Sequence, residues 1–307
     1  MDFGKVSTSR QLDQISFHFP PDDPRTVLQL TSRHPANEIP RIFIGCPIWD
    51  KKDWVGKVYP PKTPEKDFLK YYSRQFNTIE LNTTFYRIPE IATVKKWRES
   101  VTEGFMFCPK VFQEISRFEN LHSIPDLTHR FCQAALQFEG HLGISFMQLP
   151  PSFEPQHLVI LKRFFKLLPK GFPLAVEFRH PGWFLKNHLI APAFDLLQES
   201  GVSTVITDVA GRRDVFHTSL TTRTLVVRWV GNALHPTDLR RTEQWIQKIG
   251  QWLADGVTQI FFFVHQPNEV GSLEVIDELV TGLNKNHRLS LKSWNPDLAH
   301  PQTELFG

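Results

Sequence analysis

Residues 173–184 read PLAVEFRHPGWF, an apolar run that delivers Glu177, Arg179 and His180 within four positions. A carboxylate at such a point can take a proton from a bound carbon or hydroxyl acid while a neighbouring cation stabilises the charge that develops. In an extended chain successive side chains take opposite faces. Leu174, Val176 and Phe178 therefore oppose Ala175, Glu177 and Arg179, and in TIELN (78–82) Ile79 and Leu81 oppose Thr78, Glu80 and Asn82. The same parity sets Lys110, Gln148, Asp208, Arg228 and His265 at the ends of other apolar runs. Glu177 is the leading acid or base, with Arg179, His180 and Arg228 for charge and Asp208 among the catalytic candidates. Glu80, one inward step deeper than Asn82, reads as a positioning group. Asn82 and Gln148 suit hydroxyls or a carboxamide. A buried carboxylate costs several kcal/mol unless it is paired, so pairs such as Glu80 with Lys110 and Glu177 with Arg228, tiling an interior without chemistry, stand as the alternative.

Trp49, Trp54, Phe85, Tyr86 and Trp183 fall just after such runs. They could wall a sugar-like or base-like ligand or simply plug the space. Trp49, Tyr86, Trp183, Lys110, Arg228 and His265 join Asn82 and Gln148 as candidate substrate contacts. No cofactor is expected. Glu80, Glu177, Asp208 and His265 form a weaker alternative as a divalent-metal set of hard oxygens and one imidazole. The chain has no HExxH, no HxH pair and no cysteine cluster, and nearby arginines oppose a cation. Walker, dinucleotide and GxSxG signatures are absent too.

The elements that must position these groups alternate. Short β-type runs occur at 42–46, 78–82, 105–110, 144–149, 173–178, 203–208, 224–229 and 259–265, with helical periodicity at 65–75, 91–100, 126–138, 154–168, 187–200, 238–254 and 272–283. About eight strands alternating with helices predict one (βα)8 barrel over 41–288, of the TIM type, with its chemistry at the C-terminal ends of the strands. The weakest link is 211–222, which shows no convincing helix. Residues 1–40, turn-rich and poorly periodic, read as an extension that wraps the barrel or is partly disordered, and 289–307 as a tail or a segment across the barrel bottom.

Composition narrows the class. Of 307 residues 41% are hydrophobic, enough for a large core, and 35 Lys and Arg against 32 Asp and Glu make no nucleic-acid stripe. With 26 Phe but 4 Tyr, the aromatics are mainly packing material. The three cysteines are far apart, arguing against a disulfide framework. No run is long enough to span a bilayer and no signal peptide is evident, so no membrane partner and a cytoplasmic location are expected. At the end of the chain, Gln302, Leu305 and Phe306 of QTELF resemble the QxxLF peptide that docks DNA-processing proteins into the bacterial sliding clamp.

Four blocks, GCPIWDKKDWVGKVYPP, FNTIELNTTFYRIP, LGISFMQLPPSF and LAVEFRHPGWF, in this order, resemble the YecE-like family, domain of unknown function 72. The resemblance covers about residues 42–283. It implies a TIM-type barrel and carries no established reaction. By position it marks Trp49, Trp54, Tyr59, Glu80, Asn82, Phe85, Tyr86, Gln148, Pro150, Glu177, Arg179, His180, Trp183 and Asp208. Departures fall on the rim: GCPIW where the family has GTSGW, Trp229-Val230-Gly231 where it has an HG pair, and His265-Gln266-Pro267-Asn268 where it has an Asn-rich turn. The reading is an enzyme acting on a small polar substrate, anionic or sugar-like, by carboxylate acid/base chemistry. The alternatives are a metal-dependent DNA-repair phosphodiesterase or binding factor tethered to the sliding clamp, and a non-catalytic binding protein.

Overall fold

The computed structural model describes residues 4–6, 8–32, 39–267, 269 and 271–299. Eight strands form the barrel: β1 (Arg41–Cys46), β2 (Thr78–Leu81), β3 (Met106–Pro109), β4 (Ser145–Gln148), β5 (Leu174–Glu177), β6 (Ser203–Asp208), β7 (Thr224–Val230) and β8 (Gln259–His265). All neighbours pair in parallel, in the order β3-β2-β1-β8-β7-β6-β5-β4. The last seam, β3 to β4, is closed by bridges Phe107–Leu142 and Lys110–Phe146. There the Gly143 amide donates to Phe107 O at 2.8 Å and the Val111 amide to Phe146 O at 2.9 Å. This is the TIM-type α/β barrel that the alternation of elements predicts.

Side-chain parity divides the apolar residues into an outer and an inner set. Inside, Phe43, Cys108, Ile144, Phe146, Ala175, Val205, Val226, Phe261 and Phe263 fill the barrel, with Phe43 and Phe261 stacked 4.9 Å apart. Outside, residues such as Ile79, Leu81, Val227 and Val264 meet the helical shell on one side and Met147, Leu174 and Val176 meet it on the other. The shell comprises helices Phe68–Gln75, Ile91–Glu99, Ile124–Leu136, Leu158–Phe165, Ala191–Glu199, Pro236–Asp255 and Ser272–His287. Gly256 ends the longest of them at φ +119°, a backbone angle that an L side chain rarely adopts.

Between β6 and β7, where the sequence carries no helical pattern, there is one 3-10 turn, Arg213–Val215. The slot is filled from the N-terminal extension. Helix Pro24–Thr31, capped by Asp23, lies on the β6–β7 connection: Thr26 Oγ1 donates to Thr218 O at 3.0 Å and accepts from the Leu220 amide at 2.7 Å. Its flanks touch the helices on both sides. Arg25 stacks over Phe194 at 4.3 Å, Gln198 donates to Gln29 at 2.7 Å, and Lys248 pairs with Asp22 at 3.1 Å. The extension thus supplies the helix that the repeat omits.

Residues 289–299 also pack on the barrel. Leu289, Leu291 and Trp294 lie against the outer core; Asn284 clamps both backbone groups of Leu291, at 2.8 and 2.9 Å, and Gln75 does the same to Asn295. Gln302, Leu305 and Phe306 lie outside the described residues. No helix among the described residues is long and apolar enough to cross a membrane.

Candidate functional site

Above the apolar filling, the C-terminal ends of the strands carry a layer of charge. Arg228 projects inward from β7 and, fully buried, spans the barrel. Its Nε and Nη2 grip the two oxygens of Glu80 on β2 at 2.9 and 2.8 Å, and its Nη1 reaches Glu177 Oε2 on β5 at 2.9 Å. Arg179 Nε donates to Glu177 Oε1 at 2.6 Å. His265 Nε2 donates to Glu80 Oε2 at 2.9 Å, and Asn82 Nδ2 to Glu80 Oε1 at 2.9 Å. Gln148, level with Glu177 in the β4–β5 register, donates from Nε2 to Glu177 Oε2 at 3.0 Å and accepts from Lys110 Nζ at 3.0 Å. Residues from six strand ends thus meet in one continuous network.

Lys110 differs from the other cations. It is buried, yet among the described residues no carboxylate lies within ion-pairing distance of it. Its amine bonds to the neutral Gln148 and sits over the ring of Phe85 at 4.1 Å, with Phe146 at 5.9 Å. Phe85 comes from the single helical turn Thr83–Tyr86, which follows β2. That turn is fixed by Thr84, whose hydroxyl lies 2.8 Å from Leu81 O and 2.7 Å from Lys110 O.

The protonation states follow from these contacts. Burial alone would push Glu80 up, but Arg228 and His265 outweigh it and hold the carboxyl well below the usual range. For Glu177 burial is likewise outweighed, by Arg179 and Arg228, again leaving it far below that range. For Lys110 burial and the nearby Arg228 both disfavour charge. They exceed the pull of Glu80 and Glu177 and push the amine down to about 8.

Several expectations are corrected. Asp208 does not join Glu80, Asn82 and Glu177: it points outward from β6 to helix Pro236–Asp255. There it accepts from Trp245 Nε1 at 2.8 Å, pairs with Arg241 at 3.1 Å and with Arg213, while Arg241 Nη2 also donates to the Asp208 carbonyl at 2.8 Å. The inward residues of β6 are Val205 and Thr207; with Val205 and Ile206 both apolar, STVITD does not reveal its own parity. The alternative metal set of Glu80, Glu177, Asp208 and His265 is overturned for the same reason. No group of three His, Cys, Asp or Glu among the described residues converges as a metal set.

His180 stands beside the network rather than in it, its Nδ1 accepting the Gly182 amide at 3.0 Å. Trp183 is fully buried in the outer apolar cluster, against Phe153 and Phe178, and donates to Phe153 O at 2.6 Å, so it is a packing residue and does not line a ligand wall. Trp54 and Tyr59 are likewise core residues. Trp49 is half-buried, edge-on to Trp97 at 5.7 Å; Tyr86 is 70% exposed beside Phe85. Of the predicted pairs Glu177 with Arg228 forms, whereas Glu80 pairs with Arg228 and not with Lys110. Sequence reasoning missed Thr207, which faces inward in register with Arg228. It is 4% exposed, and its hydroxyl has no hydrogen-bond partner among the described residues.

The family described as "Protein of unknown function DUF72" matches over residues 43–300. The chain belongs to the DUF72 family. It is 30% identical over 262 residues to UPF0759 protein YecE of Escherichia coli K12, covering 80% of this chain and 93% of that one. It is 29% identical over 150 residues to UPF0759 protein YunF of Bacillus subtilis 168, covering 47% of this chain and 52% of that protein. Among solved structures, a DUF72 family protein from Enterococcus faecalis V583 superimposes with a TM-score of 0.63 at 18% identity, over 83% of this chain and all of that one. One from Thermotoga maritima MSB8 gives 0.60 at 20% identity, over 78% and 99%. At these identities the structures speak for the DUF72 barrel fold.

Proposed function

We propose that this DUF72 protein is an enzyme acting on a small anionic substrate at the C-terminal mouth of the barrel, with Lys110 as the group that exchanges a proton. The observation that carries this reading is the isolation of Lys110. Glu80 and Glu177 have every carboxylate oxygen hydrogen-bonded and hold no proton at moderate pH, so Glu177 is a poor acid and a weak base. The Lys110 amine, near 8, is poised between its two states close to neutral pH, where acid–base catalysis is most effective. An anion is favoured on the Lys110 side of the layer, where the amine meets no carboxylate among the described residues and Arg179 keeps partial exposure. Within the network Glu177 orients Arg179 and Arg228, and Gln148 orients Lys110.

The test is an untargeted metabolite turnover screen of the wild type against Lys110→Met and Glu177→Gln. Consumption of an anionic metabolite that Lys110→Met abolishes supports the reading; turnover untouched by Lys110→Met removes it. Saturation of both carboxylates favours a second reading, a non-catalytic binding protein whose ion pairs hold the mouth in shape. It predicts retention of a ligand without turnover. Docking of the sliding clamp at Gln302, Leu305 and Phe306 is a separate proposal, resting on the QTELF pattern alone. A clamp pull-down that Phe306→Ala leaves unchanged would remove it.

A further inference from the structure

We propose that Lys110 is a nucleophile as well as a proton carrier: its amine condenses with the carbonyl of a small 2-oxo carboxylate to form an imine, and Arg179 receives the carboxylate. This rests on the reading of Lys110 as the reactive group of the mouth and adds a substrate class and a covalent step.

Three features of the layer support it. First, Lys110 Nζ makes one hydrogen bond among the described residues, to Gln148 Oε1, although two carboxylates belong to the same network. A lysine kept for stability would be expected on one of them; here both are taken by arginines, and an amine desolvated beside cations is the setting that makes lysine nucleophilic. Second, the rings of Phe85 and Phe146 flank the amine. They exclude water from an imine and stabilise the cation it becomes on protonation. Third, Thr207 Oγ1, buried and unpartnered, points into the barrel beside the Arg228 strand position. A hydroxyl left unbonded at that depth is costly unless a ligand or water meets it, and an oxygen-rich carbonyl acid supplies the acceptor. Arg179 retains 10% side-chain exposure where Arg228 has none, so it is the guanidinium that an anion coming from the mouth would reach.

The step balances without a redox partner. The free amine's lone pair forms the N–C bond as the carbonyl π pair moves to oxygen, and the ammonium proton passes to that oxygen to give a carbinolamine. The carbinolamine takes up one proton from solvent and loses its hydroxyl as water. The sum is amine plus carbonyl plus one proton giving a protonated imine plus water.

The experiment treats the full chain with pyruvate or glyoxylate and sodium cyanoborohydride, which reduces an imine to a stable secondary amine, and maps the adduct by peptide mass spectrometry. Acetaldehyde serves as the uncharged comparison. The expected result is a single adduct at Lys110, formed about tenfold or more faster than at exposed lysines, faster with glyoxylate than with acetaldehyde, and absent in a folded Lys110→Met variant. Thr207→Val, which keeps Lys110, should slow labelling. Adducts spread over surface lysines would overturn the imine proposal. A parallel acetylation titration separates the two ideas. If no oxo acid labels Lys110 but its acetylation rises with a midpoint near 8, the imine fails and the proton-transfer reading survives; a midpoint at the ordinary lysine value removes both.

Discussion

Replacing Lys110 by methionine tests the electrostatic argument without any knowledge of substrate. Depression of the amine from 10.5 to about 8 means that the folded protein binds this proton more weakly than the unfolded chain does. At about 1.4 kcal/mol for each pH unit, the gap amounts to ~3 kcal/mol acting against the folded state. The sign follows from linkage. Below pH 8 both states carry the proton and the penalty is full. Between 8 and 10.5 the folded protein has lost the proton while the unfolded chain keeps it, so wild-type stability rises with pH, and above that window the penalty is gone. Methionine fills the same volume beneath Phe85 with no charge, but it leaves Gln148 Oε1 without its donor, a loss of about 1–3 kcal/mol. At neutral pH the two effects nearly cancel, so the diagnostic quantity is the slope. Urea unfolding of both proteins at pH 7 and at about pH 9.5 should show the wild type gaining ~2 kcal/mol relative to the variant as pH rises. A difference that stays constant over that range would mean that Lys110 titrates as an ordinary lysine, and the account of the mouth given above would be wrong.

Other consequences concern the carboxylates and the N-terminal helix. Glu177→Gln keeps the shape but strips the charge that faces Arg179 and Arg228, and should lower unfolding free energy by about 3–5 kcal/mol in urea titrations. Acid should destabilise the protein steeply. Glu80, Glu177 and Asp208 are buried, which would raise them, yet the arginines beside them hold each below its unfolded value of 4.5, 4.5 and 3.8. The stability they contribute is therefore complete above about pH 4.5 and lost as pH falls through the folded values, which a thermal-melt series across that range reads directly. Thr26→Val removes both hydrogen bonds that seat helix Pro24–Thr31 on residues 218–220 and should cost about 1–3 kcal/mol, with faster amide exchange in β6 and β7 if that helix completes the shell.

How much of this was legible in the sequence depends on how strictly each strand alternates. TIELN and LAVEFR put apolar side chains on one face only, so the inward position of Glu80, Asn82, Glu177 and Arg179 could be read without coordinates. STVITD has apolar residues on both faces, and parity counted back from Asp208 points the wrong way. The carboxylate that seemed catalytic is a strut between β6 and helix Pro236–Asp255, and the inward residue is Thr207. The gap at 211–222 was visible as an absent helical pattern, yet nothing local in it names Pro24–Thr31 as the filler. That contact joins segments nearly two hundred residues apart, through single hydroxyls such as Thr26. Periodicity registers which face is apolar, not which distant segment covers it.

The division of labour among the basic residues follows from their chemistry. A guanidinium offers a planar fork of donors that matches a carboxylate, stays charged when buried, and can serve two acids at once, as Arg228 does for Glu80 and Glu177. Once arginines have claimed the carboxylates, a lysine in the same layer can be held only by neutral or aromatic partners, and Gln148, Phe85 and Phe146 are of that kind. The arginines also repel its positive charge. Burial does most to loosen the proton on Lys110, and the arginines that pair the acids add to it. The enclosure that holds the ion pairs tight also brings the amine near 8, so stability and reactivity in this mouth are not competing explanations.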